Sequence, residues 1–146
     1  MLQACEFIAV FCAAVFAGAA LHITLAEHPA RMGLETRIAA MQWVPSYERA
    51  TWMQAPLAVV SFLGGIGAWL LGAGVGWLAA ALLIGVVVPF TLIGIFPTNH
   101  KLLAPSRDRG SPETRALLER WGNLHAVRTA LSIVASVLYL WLLRAA

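Results

Sequence analysis

Trp121, His125 and Arg128 follow i, i+4, i+7 spacing, which puts an indole, an imidazole and a guanidinium on one face of a helix. Arg128 stands inside an apolar run, Leu124 to Leu143. A charge there is costly, so it pairs with something and marks a functional site by default. Histidine takes and gives protons near neutral pH, and a fixed cation beside it can hold a developing oxyanion. Glu27-His28-Pro29-Ala30-Arg31 concentrates a carboxylate, an imidazole and a guanidinium in one short segment, and Asn99-His100 adds an amide and another imidazole. With His22, these groups contain all four histidines of the chain. The set suits removal of a proton next to a carbonyl. His125 would be the base, Arg128 and Asn99 would hold the enolate oxygen, Trp121 would stack on a ring, and Glu27 is the expected partner of Arg128.

Histidine and glutamate from different helices of a bundle can also hold iron, copper or zinc. A metal set of Glu27, His125 and His22 therefore stays open, with His100 as a further nitrogen donor. Nothing requires it: no HExxH, ExxH or CxxC spacing occurs. His22 and Glu27, five residues apart, stand about 140° apart around a helix and make a poor chelating pair. Haem ligation by a histidine pair is disfavoured for lack of any further signal. The chain has no Walker loop, no GxGxxG and no nucleophile elbow. Cys5 and Cys12 would be about 10 Å apart on one helix, too far to bridge, and act as small apolar residues.

The elements that must position these groups are membrane spans. Of 146 residues, 60% are hydrophobic and only 12% charged, with a mean hydropathy of +0.78. A soluble domain of this size cannot bury so much apolar surface. Composition thus excludes a soluble domain, a disordered chain and a disulfide scaffold. The net charge is +3, but Lys and Arg form no dense block, which argues against nucleic acid as a partner. Four apolar runs, Leu2–Ala26, Trp52–Leu71, Trp77–Phe96 and Leu124–Leu143, each match a hydrocarbon core about 30 Å thick. Backbone groups must be satisfied within lipid, so the runs are helices. The first has no Lys or Arg among its initial ten residues and is long enough to span, so it reads as a span and not as a signal peptide. The expected fold is a single all-α domain over residues 1–146, an up-down bundle of four transmembrane helices.

Runs two and three are joined by a tight hairpin, Gly72-Ala73-Gly74-Val75-Gly76. Between runs one and two, Glu27 to Thr51 forms a long connection in which Ile38, Met41 and Val44-Pro45 predict a short amphipathic helix at the interface. Pro29 is expected to break helix one, and Pro89 to kink helix three. Ser111-Pro112-Glu113 is a helix start. Helix four, from Pro112 to Leu143, would be about 48 Å long and so extend beyond the bilayer. Arg31, Arg37, Arg49, Lys101, Arg107, Arg109, Arg115 and Arg120 lie in the two long connections, against Arg144 alone on the other side. The positive-inside rule then places both connections in the cytoplasm and both termini outside, as in a bacterial inner membrane. Trp43, Trp52 and Trp121 are expected in one interfacial belt and Trp69, Trp77 and Trp141 in the other. The polar groups all converge at the cytoplasmic end, where a pocket is expected with His125, Arg128, Glu27 and Asn99 at its mouth.

The Glu27-His28-Pro29-Ala30-Arg31 segment, Pro97-Thr98-Asn99 with Leu102, and Trp121-x3-His125-x2-Arg128 together resemble the anthrone oxygenase-like family of small four-span membrane proteins. The resemblance covers nearly the whole chain. It implies oxidation of a polycyclic phenolic substrate, an anthrone becoming an anthraquinone, with molecular oxygen. It carries over to Glu27, Pro29, Arg31, Asn99, Trp121, His125 and Arg128. His28 and His100 join Trp121 and Arg31 as candidate substrate contacts. The resemblance leaves the cofactor open.

The leading expectation is thus a membrane oxygenase acting on a lipophilic small molecule. A small transporter would also use intramembrane His and Arg, but a conduit should show polar residues along its whole length. A non-enzymatic assembly partner, with the polar cluster as structural glue, is the remaining alternative. A homo-oligomer is compatible with each.

Overall fold

A computed structural model describes residues 1–145. It contains four long helices: α1 (Leu2–Met32), α2 (Thr36–Ala73), α3 (Val75–Leu103) and α4 (Pro112–Ala145). Each is long and apolar enough to cross a membrane, and no strand occurs among the described residues. The protein is an all-α integral membrane bundle. Consecutive helices pack along each other, and α1 packs along α4, closing an up-down ring. One end carries the α2–α3 hairpin and both termini; the other carries the α1–α2 and α3–α4 connections and is called the loop end.

The hairpin turns on Gly72 and Gly74, whose φ values of 95° and 99° only glycine adopts without strain. Helix α4 starts as its sequence demands: the Ser111 hydroxyl accepts the Thr114 amide at 3.2 Å, and Pro112 fills the first helical position.

Prolines produce a different result from simple breakage. Helix α1 does not end at Pro29 but passes through one wide turn, Ile23–Glu27, and continues to Met32. Helix α3 does the same at Thr91–Ile95, ahead of Pro97. A wide turn absorbs the missing proline N–H and the bulk of the ring without ending the helix. At Pro89 the ladder loses the bond that the Gly85 carbonyl would accept, while the adjacent Val86 still donates to Leu82 and accepts from Phe90. The Thr91 hydroxyl then bonds the Val87 carbonyl at 2.7 Å.

The separate interfacial helix does not exist. Ile38, Met41, Val44 and Pro45 belong to α2, which is continuous from Thr36 onward, and only Gly33, Leu34 and Glu35 connect it to α1. Between Thr36 and Gly64 this stretch has no glycine to stop a helix, and Pro45 and Pro56 are absorbed within it. Half the expected tryptophan belts also fail. Trp52 and Trp141 are exposed, at 83% and 66%, and Trp69 is partly so, but Trp43, Trp77 and Trp121 are buried core residues.

Two cores result. The hairpin half packs small residues, Ala9, Ala13, Ala80 and Ala135, around Phe16, Trp77, Ile84 and Tyr139, as close helix approach in lipid requires. The Ser61 hydroxyl bonds the Ala9 carbonyl across α1 and α2 at 2.9 Å. The loop half packs Trp43, Trp121, Leu118, Leu102, Ile95 and Ile23. The site lies between these cores.

Candidate functional site

His125, 1% exposed, is held from both sides. Its Nδ1 lies 3.0 Å from the Thr24 hydroxyl of α1, which lies 2.8 Å from the Thr129 hydroxyl. Its Nε2 lies 3.0 Å from Arg128 Nη2. A guanidinium has no lone pair to offer, so Arg128 donates and Nε2 accepts. Nδ1 then carries the proton of the neutral ring and donates to Thr24. Arg128 thus sets the tautomer, and the threonines orient the ring so that the Nε2 lone pair faces Arg128.

Arg128 also donates to Gln54 Oε1 of α2 at 2.6 Å, and its guanidinium lies 5.5 Å from the Phe16 ring centroid. No carboxylate pairs with it among the described residues. The expected partner, Glu27, is elsewhere: it pairs with Arg31, four residues on along the same helix, and accepts from Ser46. Register explains the difference. The Thr129 hydroxyl contacts the Ala20 carbonyl at 3.3 Å, which sets α4 against α1. Glu27 lies seven residues beyond Ala20, about 10 Å closer to the loop end, while i, i+4 spacing puts Arg31 beside it.

Arg31, itself 2% exposed, donates to Glu27, Gln42 and Ser46. Trp121 lies between this ion pair and His125. Its ring is stacked with His125 at 4.9 Å, edge-on to Trp43 at 5.8 Å and tilted to His28 at 5.3 Å. Gly122 admits the His28 ring, since a Cβ there would lie 2.3 Å from Nε2.

His125, Arg128, Trp121 and Asn99 line one cavity of about 140 Å3, with Gln54, Ser46, Tyr47, Thr51 and Thr91 and an otherwise apolar wall that includes Phe16, Ala58, Val87 and Ile95. Several of its buried polar atoms have no hydrogen-bond partner: Gln54 Nε2, both ends of the Asn99 amide, Trp121 Nε1 and Arg128 Nε. Buried polar groups are normally satisfied, and exceptions call for a reason. Four of these five atoms are N–H donors beside a cation, and no Asp or Glu lines the cavity. Such a donor set can stabilise an oxygen that carries negative charge.

The remaining expected residues separate. Glu27, Arg31 and His28 support the wall behind Trp121 and do not line the cavity. His22 and His100 are exposed on the outside of the bundle, His100 against Phe96. The metal set of Glu27, His125 and His22 does not converge, and no group of three His, Cys, Asp or Glu side chains comes close enough to hold an ion among the described residues. Gln54 is the participant that sequence reasoning missed, along with Thr24 and Thr129. A neutral amide near the start of an apolar run barely changes its hydropathy, although its position inside that run was a signal.

A helical membrane protein with a cationic, donor-rich cavity between its spans is the class that fold and site define. The family model for anthrone oxygenase matches residues 43–138, and the chain belongs to that family. The matched stretch contains Gln54, Asn99, Trp121, His125 and Arg128. The chain is also similar to anthrone oxygenase tpcL of Aspergillus fumigatus, at 37% identity over 70 residues, 46% of this chain and 44% of that protein. It therefore spans less than half the length of that relative. No solved structure matches.

Proposed function

We propose that the protein is a membrane oxygenase that converts a lipophilic aromatic ketone of the anthrone type to the corresponding quinone. The observation that carries this is the set of partnerless N–H groups on Arg128, Gln54, Asn99 and Trp121 in a largely apolar cavity beside a single imidazole. An anthrone has a carbonyl opposite an activated CH2, so its conjugate base places negative charge on oxygen. The substrate oxygen would take the guanidinium and amide donors, and His125 Nε2, freed from Arg128, would take a proton from the CH2. Dioxygen then bonds to that carbon, the O–O bond breaks, and water leaves with the second hydrogen. One substrate and one O2 give one quinone and one water. Base catalysis by a placed histidine contributes about 10²–10⁴-fold, and one oxyanion donor about 10²–10³-fold.

The test is oxygen uptake and quinone formation with anthrone in vesicles containing the protein. The expected result is catalysed uptake, abolished in His125→Ala and lowered about 10²–10³-fold in Arg128→Ala, with both variants folded. Wild-type uptake no faster than in protein-free vesicles would overturn the proposal.

A further inference from the structure

Apolar cores flank the cavity toward both ends of the bundle. Toward the hairpin it meets the alanine-rich core around Trp77, Ile84 and Tyr139. Toward the loop end it meets Trp43, Ala40, Leu102 and Leu118, none more than 5% exposed. These apolar side chains narrow the expected mouth at the cytoplasmic face, where the half-buried Ser46 and Tyr47 are the polar lining residues.

One side wall is open. Helices α2 and α3 pack together from their hairpin to about Val88 and then separate, with hardly any backbone approach between α2 and the Thr91–Leu103 stretch. The cavity residues that reach the outer surface lie along this gap: Thr51 and Ala55 from α2, Leu92 and Phe96 from α3. Ala55 and Leu92 belong to apolar runs, so the gap faces hydrocarbon. Just beyond it lies a second, almost wholly apolar groove, containing Phe62, Gly85 and Pro89, that shares Ala58 and Val88 with the cavity. Pro89 and the wide turn at Thr91–Ile95 lie on α3 along this stretch.

We propose that this gap is the ligand entrance, through which an uncharged aromatic molecule passes sideways from the bilayer into the cavity. An ionic ligand would not cross a rim of this kind, since charge is expelled from hydrocarbon. Size points the same way. A cavity of about 150 Å3 holds a single benzene ring, so the 140 Å3 here accepts one ring of a larger molecule. One ring would enter the cavity, with the rest of the molecule left in the gap and the adjoining groove. The polycyclic identity of the ligand rests on the oxygenase reading above; the entrance does not.

Photolabelling tests it in phosphatidylcholine vesicles. Benzophenone, an uncharged diaryl ketone, is dissolved in the bilayer and irradiated, and adducts are mapped by peptide mass spectrometry. Labels are expected on the cavity wall at Thr91 and Ile95 as well as on lipid-facing Ile93. In A55F/L92F, which fills the gap, cavity labels should fall about tenfold, as for a blocked association route, while the Ile93 label persists. The single variant L92F, at a site already 56% exposed, serves if the double variant does not fold. Charged 4-benzoylbenzoate added in water should leave the cavity unlabelled. Unchanged cavity labelling in the filled variant, absence of cavity labels in the wild type, or equal labelling by the charged probe would each overturn the entrance. Oxygen uptake with anthrone, measured on the same vesicles, separates the two proposals. A gap-dependent cavity label without turnover removes the oxygenase and keeps the entrance. Turnover with labelling indifferent to the gap does the reverse.

Discussion

His125 and Arg128 occupy consecutive turns of one helix, yet what each can do depends on residues from other helices. Thr24 of α1 holds the protonated side of the imidazole, and Gln54 of α2 holds the guanidinium. Removing the Thr24 hydroxyl with Thr24→Val should leave the protein folded but lower turnover about tenfold or more, because the ring loses its orienting partner. The check is kcat at saturating substrate, where a binding defect alone would not register. The Glu27–Arg31 pair makes a different prediction. Arg31 is buried and would be left uncompensated, so Glu27→Ala should cost about 3–5 kcal/mol. Thermal melting in detergent should show that Glu27→Ala/Arg31→Ala loses less than the sum of the single changes. Glu27→Ala and Arg128→Ala should add, since no contact joins them. Strong coupling between those two would refute the register described here.

At the scale of elements, close approach of helices does the positioning. Gly65 of α2 faces Tyr139 of α4, and a Cβ there would lie 2.0 Å from the phenol oxygen, which contacts the Ser61 carbonyl at 3.3 Å. Gly65→Ala should therefore destabilise by about 1–3 kcal/mol, because the overpacked ring has no free space to take. Melting of Gly18→Ala, where no atom lies within 4 Å, provides the neutral control. The wide turns in α1 and α3 both precede a proline, and both border the site: Thr24 lies in the first and the cavity residues Thr91, Leu92 and Ile95 in the second. A wide turn offsets the residues that follow it, so side chains after it point in directions that regular helical spacing does not forecast. For this reason the helix ends and the side-chain directions around Pro29 and Pro97 were the least legible parts of the sequence.

For the whole molecule, the charge distribution carries the remaining prediction. Eight of the ten Lys and Arg lie at the loop end, so a reporter fused at the C-terminus should be active only outside the cytoplasm. Activity of a cytoplasm-only reporter there would reverse the orientation. Composition and hydropathy sufficed for the four spans, the hairpin and the start of α4, because lipid forces an apolar run of this length into a helix and Gly72, Gly74 and Ser111 act locally. The cluster of Asn99, Trp121, His125 and Arg128 was likewise legible, since polar groups inside apolar runs stand out and helical spacing aligns them. The tertiary structure alone decided three things. It pairs Arg128 with Gln54 in place of Glu27, it puts His22 and His100 outside the bundle, and it packs an apolar core at the loop end while leaving the gap between α2 and α3. Each depends on how far one helix slides and turns against another. That register comes from the summed packing of small residues such as Ala9, Ser61 and Gly65, contacts between segments far apart in the chain that no local pattern records.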